Sequence, residues 1–433
     1  MTAPLRSQQP PVSPLTDLHF DFPQATRLSN GIKMWVVGNG EDDINRVGIY
    51  VAGGTCEEQL PMQATLTAQA LTGGNSDMTA EQIAEALDYH GAKVGTQVHD
   101  HYTLIGLSSL NDNLAQVLPV LMKCLESPTF PASEVATWRR QLSSNCAMAL
   151  QRVSFLAARE MKRLYYGDHH PLAAQVTPQQ IDALTTEHVA AFHARHYHPA
   201  GCVVILSGHI GDREIHTVDD TLGRWSPTGV AIPPRQHEIK PSPVMMQVVD
   251  KPGAVQSAIA ITLRAIPRRH PHYHLLRLLV MALGGYFGSR LMTTIREDKG
   301  YTYGIGASLL GRADDAFIGI STECDTRYTR AVIDEIKNEM RRLREEPIPP
   351  DELLTVKQHV LSDLAKTLDT PFSVASHVAG TFLHGTYPEY YNEQVAAIAA
   401  ATPPMLQEMA RRYLREQLMR IVVAGDSRQL QAL

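Results

Sequence analysis

Two segments of this sequence return about 217 residues later, and that repetition constrains the fold more than any other feature. "ESPTFPASEVATWRRQL" at 126–142 is echoed by "EEPIPPDELLTVKQHVL" at 345–361, and "HARHYHPAGCVVILSGHIGD" at 193–212 by "ARRYLREQLMRIVVAGDSRQ" at 410–429. The offsets are 218 from Glu134 to Glu352 and 217 from His209 to Asp426. A near-constant offset implies a duplicated unit of roughly 200 residues. Between the copies lies "SPTGVAIPPRQHEIKPSPV", with five prolines in 19 residues and no apolar periodicity, which reads as a linker. The expected organisation is an N-terminal extension (1–22), a first domain (23–225), the linker (226–244) and a second domain (245–433).

Within each copy, strand and helix patterns alternate. "GIKMWVVG" and "RVGIYVAGG" read as strands, and "AKVGTQV" with "YTLIGLSSL" as a hairpin turning at "HDH". Thr79 and Gln82 form a capping box that opens an amphipathic helix closed by Gly91. A helix from Ala115 to about Leu125 precedes a Ser133-capped helix of some thirty residues. Thr177 caps a further helix with Pro178 at its first position. This mixture predicts an α+β fold: two homologous halves, each an antiparallel-rich mixed sheet with helices packed on one face.

Composition then narrows the function. A net charge of −6 and basic residues that never form a long run give no footprint for nucleic acid. No window approaches 18 uninterrupted apolar residues, so no membrane span is expected, and the polar, Pro-rich start lacks a targeting pattern; the expected location is cytoplasmic. The five cysteines are scattered and never form C-x-x-C, which reads as buried free thiols. Histidine clusters at 99–101, 169–170 and 193–198 read as solvated turns and helix ends. His270, His272 and His274 fall in a loop and helix start. "GGYFGS" lacks the lysine of a phosphate loop and follows a helix where such a loop follows a strand.

The stretch "LLRLLVMALGGYFGSRLMTTIREDKGYTYGIGASL" (275–309) is more specific. An apolar helix, a Gly-Gly stop, "SRL" and then R-E-x-x-G-x-T-Y resemble the C-terminal half of the pitrilysin/insulinase group of zinc peptidases, which includes the mitochondrial processing peptidase and paired bacterial relatives. The resemblance extends over both copies, and it implies that Arg296 and Tyr303 bind substrate backbone near the scissile carbonyl. The chemistry suits them: a guanidinium offers fixed donors, and a phenol can donate to a developing oxyanion. Read without the resemblance, Arg296 is a helix-end cation beside Glu297 and Tyr303 a half-buried strand aromatic.

The same resemblance exposes a loss. The family's catalytic half carries H-x-x-E-H on a helix, and the flanking sequence aligns that motif with Thr65 to Gln69. The ligand positions become Thr65 and Gln69, and the base position Ala68. An alcohol and an amide are poor zinc ligands beside imidazole, and alanine moves no proton. The third ligand should be a Glu some 75 to 80 residues on, yet residues 135–159 hold no carboxylate. The expectation is therefore a chain that binds no metal itself. It would be the zinc-less subunit of a heterodimer whose H-x-x-E-H partner carries the zinc, with Arg296 and Tyr303 binding short or unfolded peptides. A non-enzymatic scaffold or peptide-binding protein of the same fold is the alternative.

Overall fold

The computed structural model describes residues 15, 18–226 and 229–430. Residues 1–14, 16 and 17 of the expected N-terminal extension, the linker residues 227 and 228, and the last three residues lie outside them.

Among the described residues, eleven strands form two sheets. The first takes β1 (Ala25–Arg27), β2 (Lys33–Val37), β3 (Ile44–Val51), β4 (Lys93–Val98), β5 (Thr103–Leu110) and β6 (Val203–Gly208), in the order β1-β2-β6-β3-β5-β4. The second takes β7 (Met246–Asp250), β8 (Gln256–Arg264), β9 (Thr302–Gly311), β10 (Ala316–Asp325) and β11 (Arg420–Gly425), in the order β7-β11-β8-β10-β9. With β1 set aside, the two orders correspond strand for strand. β2 runs parallel to β6 and β7 parallel to β11, while the remaining pairings are antiparallel. The duplicated sequence thus folds as a duplicated, antiparallel-rich sheet, and β4 and β9 occupy equivalent open edges.

Alternation along the strands explains the layering. In β3, Val47, Ile49 and Val51 face a core shared with Leu118, Leu121 and Leu206, while Tyr50 points to the other side. In β8, Ile259, Ile261 and Leu263 face the helices of their own half, and Ala258 and Ala260 point away. Each sheet is therefore apolar on both faces, so the helices of its own half cover only one of them.

The second face is covered by exchange. Helix Val153–Tyr166 of the first half lays Ala157, Met161 and Leu164 against Ala258, Ala260, Val422 and Ala424 of the second sheet. The small strand residues let the helix sit close. Reciprocally, helix Pro371–Leu383 of the second half places Val374, Ala375, Val378 and Ala379 against Trp35, Val37, Tyr50 and Ile205. Its Phe382 ring lies within 4.9 to 6.2 Å of the rings of Trp35, Tyr50 and Tyr102.

Several local expectations are met. Thr79–Gln82 and Thr177–Gln180 both close capping boxes, with Pro178 at the first helical position. Others are corrected. The expected thirty-residue helix is two helices, Ala132–Ala149 and Val153–Tyr166, and Pro131 rather than Ser133 stands at the start with no side-chain cap. The break at 150–152 redirects the chain onto the second sheet, and that burial outweighs the local preference to continue. Within the expected N-terminal extension, Phe20 exchanges two 2.9 Å hydrogen bonds with the Asn392 side chain and packs beside Tyr391.

Candidate functional site

The site is built where the apolar helix Tyr273–Val280 ends. Its last turn widens into a π-helical turn, Met281–Gly285, a winding that recurs at functional sites. Gly284 passes so close to β9 that a Cβ there would lie 2.7 Å from the Ala307 Cβ and 2.8 Å from its backbone nitrogen, so the approach requires glycine. The following loop is fixed at both ends. The Tyr286 ring packs on His359 at 4.9 Å, and Arg290 grips Glu352 through two bonds of 2.8 and 2.9 Å. A second π-helical segment, Met292–Asp298, carries Arg296, and Gly300 at φ +64° turns the chain into β9.

Tyr303 lies at the start of β9, where the register with β10 shifts between Thr322 and Cys324. At this bulge Thr302 turns inward and bonds Thr322 Oγ1 at 2.8 Å and the Glu323 carbonyl at 2.6 Å. Tyr303 is turned outward and is 90 % exposed. The expectation of a half-buried strand aromatic is thus corrected, and so is the Arg296–Glu297 pairing. The Arg296 guanidinium instead lies over two rings, 4.6 Å from the centroid of Phe287 and 5.4 Å from that of Tyr303. Among the described residues neither the guanidinium nor the Tyr303 hydroxyl has a hydrogen-bond partner, so their donors remain available. Phe287, itself 60 % exposed, completes the stack. Sequence reasoning passed over it, although a large aromatic inside the glycine-rich turn "GGYFGS" serves no local structural need.

Tyr303 also walls a cavity of about 750 Å³ between helix Val153–Tyr166 and strands β8 to β10, with Ala157, Ala258, Gly304, Ser321 and Glu323 among its lining. The exchanged helix covers β8 and β11 and leaves the inner face beside β10 and β9 open.

The positions aligned with the zinc motif lie elsewhere, on helix Gln63–Ala70. Thr65 is half-buried, Ala68 is buried, and the Gln69 Oε1 is buried with no hydrogen-bond partner. Gln63 ties this helix to the next layer through a 2.8 Å bond to the His188 carbonyl. The Glu58 carboxylate accepts the backbone N–H groups of Met62 (3.1 Å) and Ala64 (2.9 Å) at the helix start, and burial pushes its pKa up to about 7. Thr65, Ala68 and Gln69 offer an alcohol, a methyl and an amide, a set that does not fit a zinc ion. Among the described residues no group of three or more His, Cys, Asp or Glu side chains is assembled to hold a metal.

Four of the clustered histidines depart from the expected solvated turns. His170, His193, His196 and His198 are buried. The His193 Nε2 meets the Leu125 carbonyl at 2.9 Å and the His196 Nδ1 the Ala52 carbonyl at 2.8 Å; burial pushes the pKa of His193 and of His170 down to about 4. These two bonds tie helix Thr186–His196 to the end of helix Leu114–Glu126 and to the loop after β3. His274 is likewise buried within its helix.

Twin sheets that exchange helices, with an Arg–Tyr pair at the second sheet's edge, make this a duplicated, two-half α+β chain. Residues 183–360, which include Arg296 and Tyr303, match the family described as the peptidase M16 inactive domain. Relatives include "Uncharacterized zinc protease YmxG" of Bacillus subtilis (strain 168), 21% identical over 84% of this chain and 90% of its own length. Another is "Uncharacterized zinc protease SCO5738" of Streptomyces coelicolor, 20% identical over 78% of this chain and 75% of its own length. Among solved structures, the peptidase M16 inactive domain from Pseudomonas fluorescens superposes with a TM-score of 0.83 at 20% identity, covering 93% of this chain and 98% of that one. A chain of complex III2 from Candida albicans superposes with a TM-score of 0.76 at 16% identity, covering 94% and 99%. Among the described residues no helix is long and apolar enough to cross a membrane.

Proposed function

We propose that this chain is the zinc-less subunit of a two-chain peptidase and contributes the side that holds the substrate. One observation carries the reading: an arginine over two exposed aromatic rings, with its donors and the Tyr303 hydroxyl unspent, where Tyr303 itself lines a cavity large enough for a peptide segment. Such an arrangement costs stability in a monomer and is useful where a carbonyl must be oriented.

In this reading the peptide is short or unfolded and lies extended between two chains, adding as a strand to a sheet edge. Arg296 donates to the peptide carbonyl, and Tyr303 donates to the oxygen that gains charge. The hydrolytic metal and base belong to a homologous H-x-x-E-H partner, because Thr65, Ala68 and Gln69 occupy the equivalent positions here as a degenerate motif. The complex is placed in the cytoplasm. The test is to isolate the chain from its native cells under mild conditions and identify its companions by mass spectrometry. A stoichiometric, similar-sized companion bearing H-x-x-E-H supports the reading, and recovery of this chain alone, or with unrelated proteins, rejects it.

A second reading, a non-enzymatic scaffold or peptide-binding protein of the same fold, is prompted by the likeness in fold to a chain of complex III2 from Candida albicans. It predicts that replacing Arg296 and Tyr303 leaves the function of the assembly intact.

A further inference from the structure

We propose that Phe287 is a third member of the clamp, with two tasks: it positions Arg296, and its free ring surface seats an apolar or aromatic substrate side chain beside the bound carbonyl. The inference rests on the peptide-holding reading above and deepens it.

Phe287 is a large apolar side chain left 60 % exposed, although Leu283 and Leu291, a few residues to either side, are fully buried in the second-half core. A phenylalanine free to choose would join them. It is held out instead by the pinned loop: Tyr286 is fixed on His359 immediately before it and Arg290 on Glu352 just after it. The Arg290–Glu352 pair is largely buried, so the loop's path is set by the fold and not by solvent.

The consequence falls on Arg296. Its guanidinium has no carboxylate partner among the described residues and would sample many rotamers if it projected freely. Phe287 at 4.6 Å and Tyr303 at 5.4 Å restrict it through cation–π attraction, which acts through the flat faces and leaves the in-plane N–H donors unused. The rotamer cost is met before substrate arrives. Two exposed aromatic surfaces flanking one donor group also form an apolar rim, the kind of feature that anchors a bound side chain. The chemistry recognised is therefore a backbone carbonyl with an apolar or aromatic neighbour, and a peptide of small residues alone is a poorer ligand.

Two blocked peptides test this: an oligo-alanine with one central phenylalanine, and its all-alanine counterpart. Binding to the isolated full chain is followed through the Arg296 Nε–Hε resonance, assigned with Arg296→Lys. In the wild type that resonance should show ring-current displacement, and the phenylalanine peptide should perturb it more strongly than the alanine one. Phe287→Leu should reduce the displacement to what the Tyr303 ring supplies and weaken the phenylalanine peptide roughly 10-fold, with a smaller effect on the alanine peptide. Phe287→Trp should restore both. In the partner complex the same loss should fall on KM more than on kcat. Unaltered circular dichroism and urea midpoint keep the comparison valid. The proposal is overturned if Phe287→Leu binds both peptides as the wild type does, or if neither peptide reaches the wild-type Arg296 resonance. A wild-type complex that cleaves neither peptide, beside an isolated chain whose binding depends on Phe287, rejects the peptidase reading and leaves this one standing.

Discussion

Arg312, at the end of β9 in the second half, reaches Asp100 in the β4–β5 turn of the first, with Nε 2.5 Å from Oδ2. The same guanidinium donates to the Tyr166 hydroxyl and lies over its ring. Tyr165, next along the same helix, donates to Asp315 at 2.7 Å. The turn that reads in sequence as a solvated "HDH" is thus part of a polar seam between the halves.

Removing one side of that seam should cost more than an ordinary surface pair. Both partners are about one-third exposed, so Arg312→Met is expected to lower unfolding free energy by about 1–3 kcal/mol. Urea titration of Arg312→Met, Asp100→Asn and the double variant measures the coupling, and strictly additive losses would show that the two residues do not act together.

Phe382 concentrates the other contact between halves. Phe382→Ala empties the space among Trp35, Tyr50 and Tyr102 and should cost about 2–4 kcal/mol in the same titration. Phe382→Leu should recover much of that. A loss under 0.5 kcal/mol would mean that the first sheet closes without this ring.

Tyr303→Phe keeps the ring and removes only the hydroxyl. The ring stack on Arg296 persists, so association with a partner should be unchanged while turnover falls about 10- to 100-fold. Size-exclusion chromatography and peptide cleavage separate the two effects. Weakened assembly with normal turnover per complex would contradict the assignment.

Glu58 gives a pH dependence of definite sign. Its folded pKa is raised to about 7 by burial, above the ordinary 4.5, so between these values the folded state holds a proton that the unfolded state has released. Stability therefore falls as pH rises from about 4.5 to 7 and is level for this group beyond that range. Glu58→Gln keeps an acceptor for the Met62 and Ala64 N–H groups and should flatten that slope, by on the order of 3 kcal/mol across the window. Urea midpoints at pH 5, 6 and 7.5 decide it, and parallel slopes in the two proteins would refute the claim.

What could be read from sequence was what short-range patterns encode. Thr79 with Gln82 and Thr177 with Pro178 mark helix starts because their partners lie within three residues. β3 and β5 announce themselves by alternation, and the motif around Arg296 and Tyr303 points to the start of β9. The break at 150–152 was hidden because the face it serves, Ala258 to Val422, is a hundred or more residues away. His193 and His196 read as surface residues because their partners are backbone carbonyls of distant segments, which carry no side-chain signature. Phe287 was missed because its value lies in the guanidinium nine residues further on.

The exchanged helices also set an order of events on the ribosome. The first sheet is complete once β6 has emerged at Gly208, but the helix that covers Trp35, Tyr50 and Ile205 begins only at Pro371. At translation speeds of about 5–20 residues per second, that aromatic face waits roughly 10 to 30 s for its cover. A newborn first half is thus a sticky intermediate by construction, and a holdase that shields apolar strands during synthesis should raise the yield of folded chain more than one offered after release.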